Sequence, residues 1–152
     1  MMVADEAHRT LNRITYATVA TVAADGRPWN APLYVAFDRR AFYWSSHYDA
    51  QHSRNIAVNP SVMLVVFDST VPDASGHGVY VRATARELID AGSIERALLA
   101  LAARRDEPVK PVADFLAPHT QRVYEAVAEE VWTNVVQQEG VYYFDKRIPI
   151  EL

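Results

Sequence analysis

Apolar residues first recur at helical spacing. Val3, Ala7, Leu11 and Ile14 fall three or four apart and predict an amphipathic helix over residues 3 to 14. Asp5 and Glu6 stand in its first turn and Arg13 in its last, which suits the helix dipole. The period then shortens to two. Tyr16 to Ala23 reads as a strand that stops at the hairpin signal Asp25-Gly26. Trp29, Ala31, Leu33, Val35 and Phe37 alternate with Asn30, Pro32, Tyr34 and Ala36, predicting a strand with one consistently apolar face. Asp38-Arg39-Arg40 turns the chain into a third strand, Ala41 to Ser45, and the three form an antiparallel meander. Asp49 is placed to cap a short helix from Ala50 to Val58, which Asn59-Pro60 ends. Ser61 to Asp68 is almost wholly apolar, as a strand buried on both sides would be.

Ser69 to Gly78 reads as a loop, and Val79 to Ile89 as a long alternating strand. Asp90 then caps a helix that carries Ile94, Leu98 and Leu101 on one face. Glu107 to Pro118 holds three prolines and is expected to be irregular, with at most a helical turn near Phe115. Arg122 to Trp132 fits two patterns. Val123, Val127 and Val131 fall at helical spacing, yet two strands around Ala128-Glu129-Glu130 fit equally well. Val131 to Val136 and Val141 to Phe144 flank Glu139-Gly140 as a terminal hairpin. The sum is six to eight strands and two or three helices without βαβ alternation. That predicts a mainly β, α+β fold: an antiparallel sheet closed on itself, with helices plugging its openings.

At 152 residues the chain is expected to be one domain, residues 1–152. Fifteen Lys and Arg against nineteen Asp and Glu leave a net charge of −4, without the basic surplus that phosphate neutralisation asks of a nucleic-acid binder. The absence of cysteine excludes disulfides, thiolate zinc sites and cysteine nucleophiles. The longest apolar runs, Val62 to Phe67 and Ala97 to Ala103, fall far short of the ~20 residues that span a bilayer. The amino terminus lacks a signal-peptide core, so a cytoplasmic protein without a membrane partner is expected.

The densest polar cluster runs from Ser45 to Asn55, where a strand gives way to a helix. Backbone N–H groups at a helix start attract anions. Ser45 and Ser46 before the helix, with His52 and Arg54 inside it, would complete a phosphate site through charge-assisted bonds. The same residues also fit a plainer arrangement, in which Ser46 or Asp49 caps the helix and Arg54 is a solvated surface charge. Pro32 cannot donate to a sheet ladder and belongs at an edge or bulge, where a flat ligand would meet free backbone groups. Histidines 8, 47, 52, 77 and 119 show no metal-ligand spacing, and no metal is expected. His77, in a glycine-flanked loop, reads as solvent-exposed or as a lid residue. No nucleophile elbow, P-loop or dinucleotide fingerprint occurs. Trp29, Trp44 and Trp132 each read as core residues, with a stacking face for a ring system as the alternative.

Taken in order, several segments resemble the pyridoxamine 5'-phosphate oxidase-like, FMN-binding split-barrel family. They are Tyr16 to Pro28, Ala31 to Phe37, Phe42-Tyr43-Trp44-Ser45-Ser46, Ser53-Arg54-Asn55-Ile56, Asn59-Pro60 and Val79 to Leu88, with a looser likeness over 122 to 150. The resemblance implies an antiparallel six-stranded split β-barrel of Greek-key type with peripheral helices, and a homodimer holding FMN at the subunit boundary. On that likeness Asn30, Ala31, Pro32 and Leu33 would line the flavin ring, and Trp44, Ser45 and Ser46 would contact the ribityl chain and phosphate. Gln51, His52 and Arg54 would hold the phosphate, and Trp132 with the terminal strand would reach the partner's cofactor. Where the oxidase proper carries an Arg-Lys pair, this chain has Gln51-His52, which argues against pyridoxamine phosphate as its substrate. The expected activity is an FMN-dependent oxidoreductase acting on a small molecule, with no side chain assigned as general acid or base. A non-catalytic flavin-binding module and a deazaflavin-dependent reductase are the alternatives.

Overall fold

The structure, a computed structural model, describes residues 2–152. Helix α1 (Val3–Arg13) leads into β1 (Tyr16–Val22), β2 (Pro28–Tyr34), β3 (Ala36–Asp38) and β4 (Ala41–His47). Helix α2 (Gln51–Val58), β5 (Ser61–Val66), β6 (Val79–Glu87) and α3 (Ala91–Arg105) follow, and then a single 3-10 turn at Val112–Phe115. Strands β7 (Gln121–Glu139) and β8 (Tyr142–Pro149) end the chain.

All pairings are antiparallel, in the order β2-β1-β5-β6-β7-β4-β3, with β8 added to β7. The hydrogen-bonded ladder does not close into a ring. Its two end strands are instead consecutive pieces of one run, residues 28 to 38, broken only at Val35. The first piece pairs with β1 and the second with β4, so the covalent chain brings the two ends of the sheet together. Counting β2 and β3 as one bent strand gives the six strands expected, with β8 as an addition.

Strand β7 explains the split. One edge follows β6, whereas the other pairs first with β4 through residues 121 to 127 and then with β8 through residues 132 to 139. The segment that fitted either a helix or two strands is thus part of a single 19-residue strand. Glu129 is an extra residue opposite the Arg82/Ala83 step, a bulge that shifts the alternation. Val127 is 44% exposed, which no helix-facing valine of that set should be.

Two apolar clusters flank the sheet. Val19, Leu64, Val81 and Trp44 fill the barrel with Ala7 and Leu11 of α1. Ile94, Ala97, Leu98 and Leu101 of α3 cover Tyr43, Leu88 and Val123 on the outside. Strand β4 therefore buries both faces, since Trp44 points inward and its neighbour Tyr43 outward. Trp44 stands opposite Tyr124 in the register, and their rings stack at 5.8 Å. As expected, Asp90 caps α3, accepting from the Ser93 amide at 2.9 Å.

Other expectations need correction. β5 is not buried on both sides; it alternates between buried and half-buried positions. β2 does not present a consistently buried apolar face, because Trp29 is 48% exposed and the strand's first half has no covering layer. Of the three tryptophans only Trp44 is core. Trp132 is half-buried under the Arg82 guanidinium, 5.3 Å from its ring centre.

Candidate functional site

Strand alternation decides what reaches the β4–α2 corner. Ser46 shares the inward face of Trp44, whereas Ser45 turns to the opposite face, so the two serines do not converge. Helix α2 packs on β1, β2 and β6 and plugs one mouth of the barrel with Ile56. It is pinned there by the buried Asn55, whose Nδ2 donates to Thr21 Oγ1 on β1 at 2.9 Å. A second anchor is Ser53 Oγ, which donates to the His47 carbonyl at 2.9 Å.

Asp49 does not cap α2. The residue at the cap position is Ala50, and no side chain accepts from the first turn. Asp49 is drawn aside by Arg54, whose Nη1 donates to its carboxylate at 3.0 Å and to its carbonyl at 2.9 Å. Arg54 Nη2 also donates to Gln51 Oε1 at 2.7 Å, and Gln51 Nε2 continues the chain to Asn55 Oδ1 at 2.7 Å. The amides of Gln51, His52 and Ser53 consequently find no acceptor among the described residues. Unpaired first-turn amides carry partial positive charge, and they open beside Ser46.

His52 meets Ser46 here, Nε2 to Oγ at 2.8 Å. Burial holds His52 below the ordinary histidine pKa, so the ring is neutral near pH 7. It serves as a dipole and not as a cation. Arg54 lies on the other flank of α2, where it lines a cleft of about 520 Å³ with Tyr48, Arg86, Glu87 and Tyr124. The structure thus gathers Ser46, Gln51 and His52 at the helix start. Arg54 is tied to that group through Gln51, and Ser45 is kept out of it.

Strand β2 runs beside this corner, with Trp29 opposite Thr21 in the register. The Val35 amide donates to Thr15 and the Arg27 carbonyl accepts from Ala23, so odd-numbered residues bond toward β1. Pro28, Asn30, Pro32 and Tyr34 therefore turn their main-chain groups to the unpaired edge, where the two prolines have no N–H to offer. Asn30 and Pro32 are exposed on the outer face, while Ala31 and Leu33 face inward and Leu33 packs on the core. The four residues expected beside a flat ring divide evenly between the faces of the strand. Trp132 lies on β7 opposite Tyr80, outside the β4–α2 corner.

Sequence reasoning missed Thr21 and the part played by Asn55. A threonine on the inward face of an otherwise apolar strand was the available signal. Among the described residues no three His, Asp or Glu side chains are grouped to hold a metal ion, and no helix is long and apolar enough to cross a membrane.

Comparison with known proteins adds the lineage. The family model for pyridoxamine 5'-phosphate oxidase matches residues 3–134. No curated protein matches the chain. Among solved structures, HutZ, the heme storage protein from Vibrio cholerae, superposes with a TM-score of 0.72 at 18% identity, covering 86% of this chain and 94% of its own. An FAD-binding protein from Mesorhizobium loti gives 0.65 at 22% identity over 87% and 94%. An F420 reductase gives 0.61 at 24% identity over 82% and 94%. At these identities the likeness is one of fold.

Proposed function

Because the chain belongs to the pyridoxamine 5'-phosphate oxidase family, we propose that it is a flavin-dependent oxidoreductase that binds FMN at the β4–α2 corner and acts on a small molecule in the cytoplasm. The observation that carries this reading is the uncapped start of α2, with three free amides beside the Ser46 hydroxyl at a barrel mouth. Such a group of donors suits a terminal phosphate. Ser46 and neutral His52 would add hydrogen bonds, and Gln51 would orient Arg54 at the rim. The free edge of β2 would offer the Asn30 N–H and C=O to the polar rim of a flat ring, with Pro32 beside it. When bound, FMN supplies the electron-transfer chemistry, which no side chain here provides.

The proposal includes a homodimer. The β7–β8 hairpin leaves the barrel with Tyr142 and Tyr143 exposed, and Trp132 lies at its root, so a second copy's hairpin would complete the exposed β2 face. The test is to load the purified protein with FMN, desalt it and record its absorption spectrum. A retained flavin band that NADH or NADPH bleaches supports the enzyme. Retention without turnover by any donor limits the function to flavin binding. Retention of deazaflavin F420 but not FMN changes the cofactor, and loss of both refutes the site.

A further inference from the structure

Helix α3 packs over Tyr43, Leu88 and Val123, yet the outer face of the sheet opens beside it. A cavity of about 440 Å³ lies there between the β3–β4 turn, β7 and Arg96 of α3. Its floor is polar. Tyr43 and Glu125 line it and stand directly opposite each other in the register. Glu125 falls between Val123, packed under α3, and the 44% exposed Val127, so strand alternation turns all three to this outer face. The β4–α2 corner is at the other end of β4 and on the inward face, where Ser46 points. Ala41 and Ser46 are five residues apart, roughly 16 Å of strand.

The charged side chains around the cavity are Asp38, Arg39, Arg40, Arg96 and Glu125. Arg40 is engaged elsewhere: its guanidinium donates to the Ala128 carbonyl at 3.0 and 3.2 Å and to the Glu129 carbonyl at 3.0 Å. Arg96 stands beside the Tyr43 hydroxyl. Arg39 forms no ion pair among the described residues, and it holds the left-handed backbone conformation at φ 56°, where glycine or asparagine would sit with less strain. Glu125 is only 8% exposed. Its Oε1 accepts from Arg86 Nε at 3.3 Å, and Arg86 does not line the cavity. Its Oε2 has no partner among the described residues, yet it is not sealed from solvent. Burial, and then the charge of Glu125, push the Tyr43 hydroxyl above the ordinary phenol range, so Tyr43 adds no charge of its own near neutral pH. An acceptor thus lies at the bottom of the cavity and two guanidiniums at its mouth. A simple anion would meet the buried carboxylate and a simple cation the arginines, whereas a molecule with both charges satisfies each.

We infer that this cavity binds a small aliphatic amino acid, its ammonium on Glu125, its carboxylate between Arg39 and Arg96, and its carbon chain against Ala41 and Val127. The volume suits a molecule of that size, and the site does not depend on the flavin reading. The probes are glycine, 4-aminobutyrate and 6-aminohexanoate, which differ in charge separation, titrated calorimetrically into the full-length protein at low salt. Pentanoate and 4-aminobutanamide match 4-aminobutyrate in size but carry one charge each. The best amino acid should bind about tenfold or more tighter than either, in line with a hydrogen bond to a charged group. Glu125→Gln keeps an oxygen for Arg86 and should bring the amino acid down to the level of pentanoate. Asp38→Asn, exposed at the mouth and screened by solvent, should matter less. Arg39→Asn relieves the left-handed strain, so its Tm should hold or rise while the amino acid weakens about threefold or more and 4-aminobutanamide does not. A turn with a structural role alone would move Tm and leave binding untouched. Thermal melts verify that each variant folds, and Arg39→Asn carries the test if Glu125→Gln does not. Absence of saturable binding by all three amino acids would overturn the inference. So would a singly charged analogue that binds as tightly, affinity untouched by Glu125→Gln or Arg39→Asn, or an Asp38→Asn effect as large as that of Glu125→Gln. Prior saturation with FMN should leave amino-acid binding unchanged, and competition between the two would overturn the separate site.

Discussion

Ser46→Ala separates a binding corner from a merely structural one. Ser46 is 8% exposed and makes one side-chain hydrogen bond, to His52 Nε2 at 2.8 Å. Losing it should cost about 0.5–1.5 kcal/mol of stability, the net value of an ordinary hydrogen bond. For a domain of this size each kcal/mol shifts Tm by about 2–4 °C, so the variant should melt about 1–6 °C lower. Binding should suffer more. If the hydroxyl donates to a phosphate, the lost bond is charge-assisted and worth about 1.5–3 kcal/mol, or about 10- to 100-fold in Kd. The assay is quenching of flavin fluorescence on titration, beside a thermal melt of the same sample without flavin. A lowered Tm with unchanged FMN affinity would refute the reasoning. The hydroxyl would then serve His52 alone, and the corner would be a packed turn.

Thr21→Val removes the acceptor for the buried Asn55 amide and should cost about 1–3 kcal/mol in urea unfolding; a loss below about 0.5 would show that Asn55 had found another partner. The depressed pKa of His52 makes no contribution above the ordinary value of about 6.5, where folded and unfolded states both hold the ring neutral. As pH falls below 6.5 the unfolded state takes up the proton first and stability declines, so His52→Gln should flatten the fall in urea midpoint between pH 7 and pH 5, and parallel curves would contradict the shift. Arg54→Ala breaks a half-exposed ion pair and should change stability by less than about 1 kcal/mol, while FMN Kd rises about three- to tenfold. A larger rise than that of Ser46→Ala would mean that Arg54 leaves Asp49 and grips the phosphate directly.

The fold was legible wherever one local rule acted alone. The 3.6-residue recurrence of Ala7 and Leu11 marked α1, and the Asp90 cap marked α3, because nothing distant competes with either. The reading failed where tertiary partners intervened. Asp49 has the chemistry of a cap, but a guanidinium five residues on outbids the amides for it. Val123, Val127 and Val131 fall four apart, a spacing that a two-residue period meets as well as a helix does, and the bulge at Glu129 then carries Val131 into the barrel while Val123 packs outside it. Ser45 and Ser46 looked equivalent in the chain, and the pleat sends them to opposite faces. The junction that ties residues 76 to 78 to Asn134 and Asp145 was invisible because more than fifty residues of chain separate its two sides. His77, read as exposed or as a lid, is half-buried and tied to that asparagine.

The arrangement at α2 also gives Arg54 a role that needs no contact with a ligand. A carboxylate at Asp49 would normally turn back and accept from the first amides of the helix. Seated there, it would fill the donors that a phosphate requires and repel the phosphate by its charge. Arg54 binds Asp49 through both carboxylate and carbonyl, and Gln51 steadies the guanidinium from the other side. On the proposed reading, an ion pair facing away from the phosphate position would keep that position open. On this account Arg54→Ala loses affinity because Asp49 is released to cap the helix. Removing the competitor as well, in Arg54→Ala with Asp49→Ala, should then restore FMN binding to within about threefold of the parent, the cost of a missing long-range charge being small at a solvated surface. A direct grip by Arg54 demands the reverse, since the double variant would bind no better than the single one.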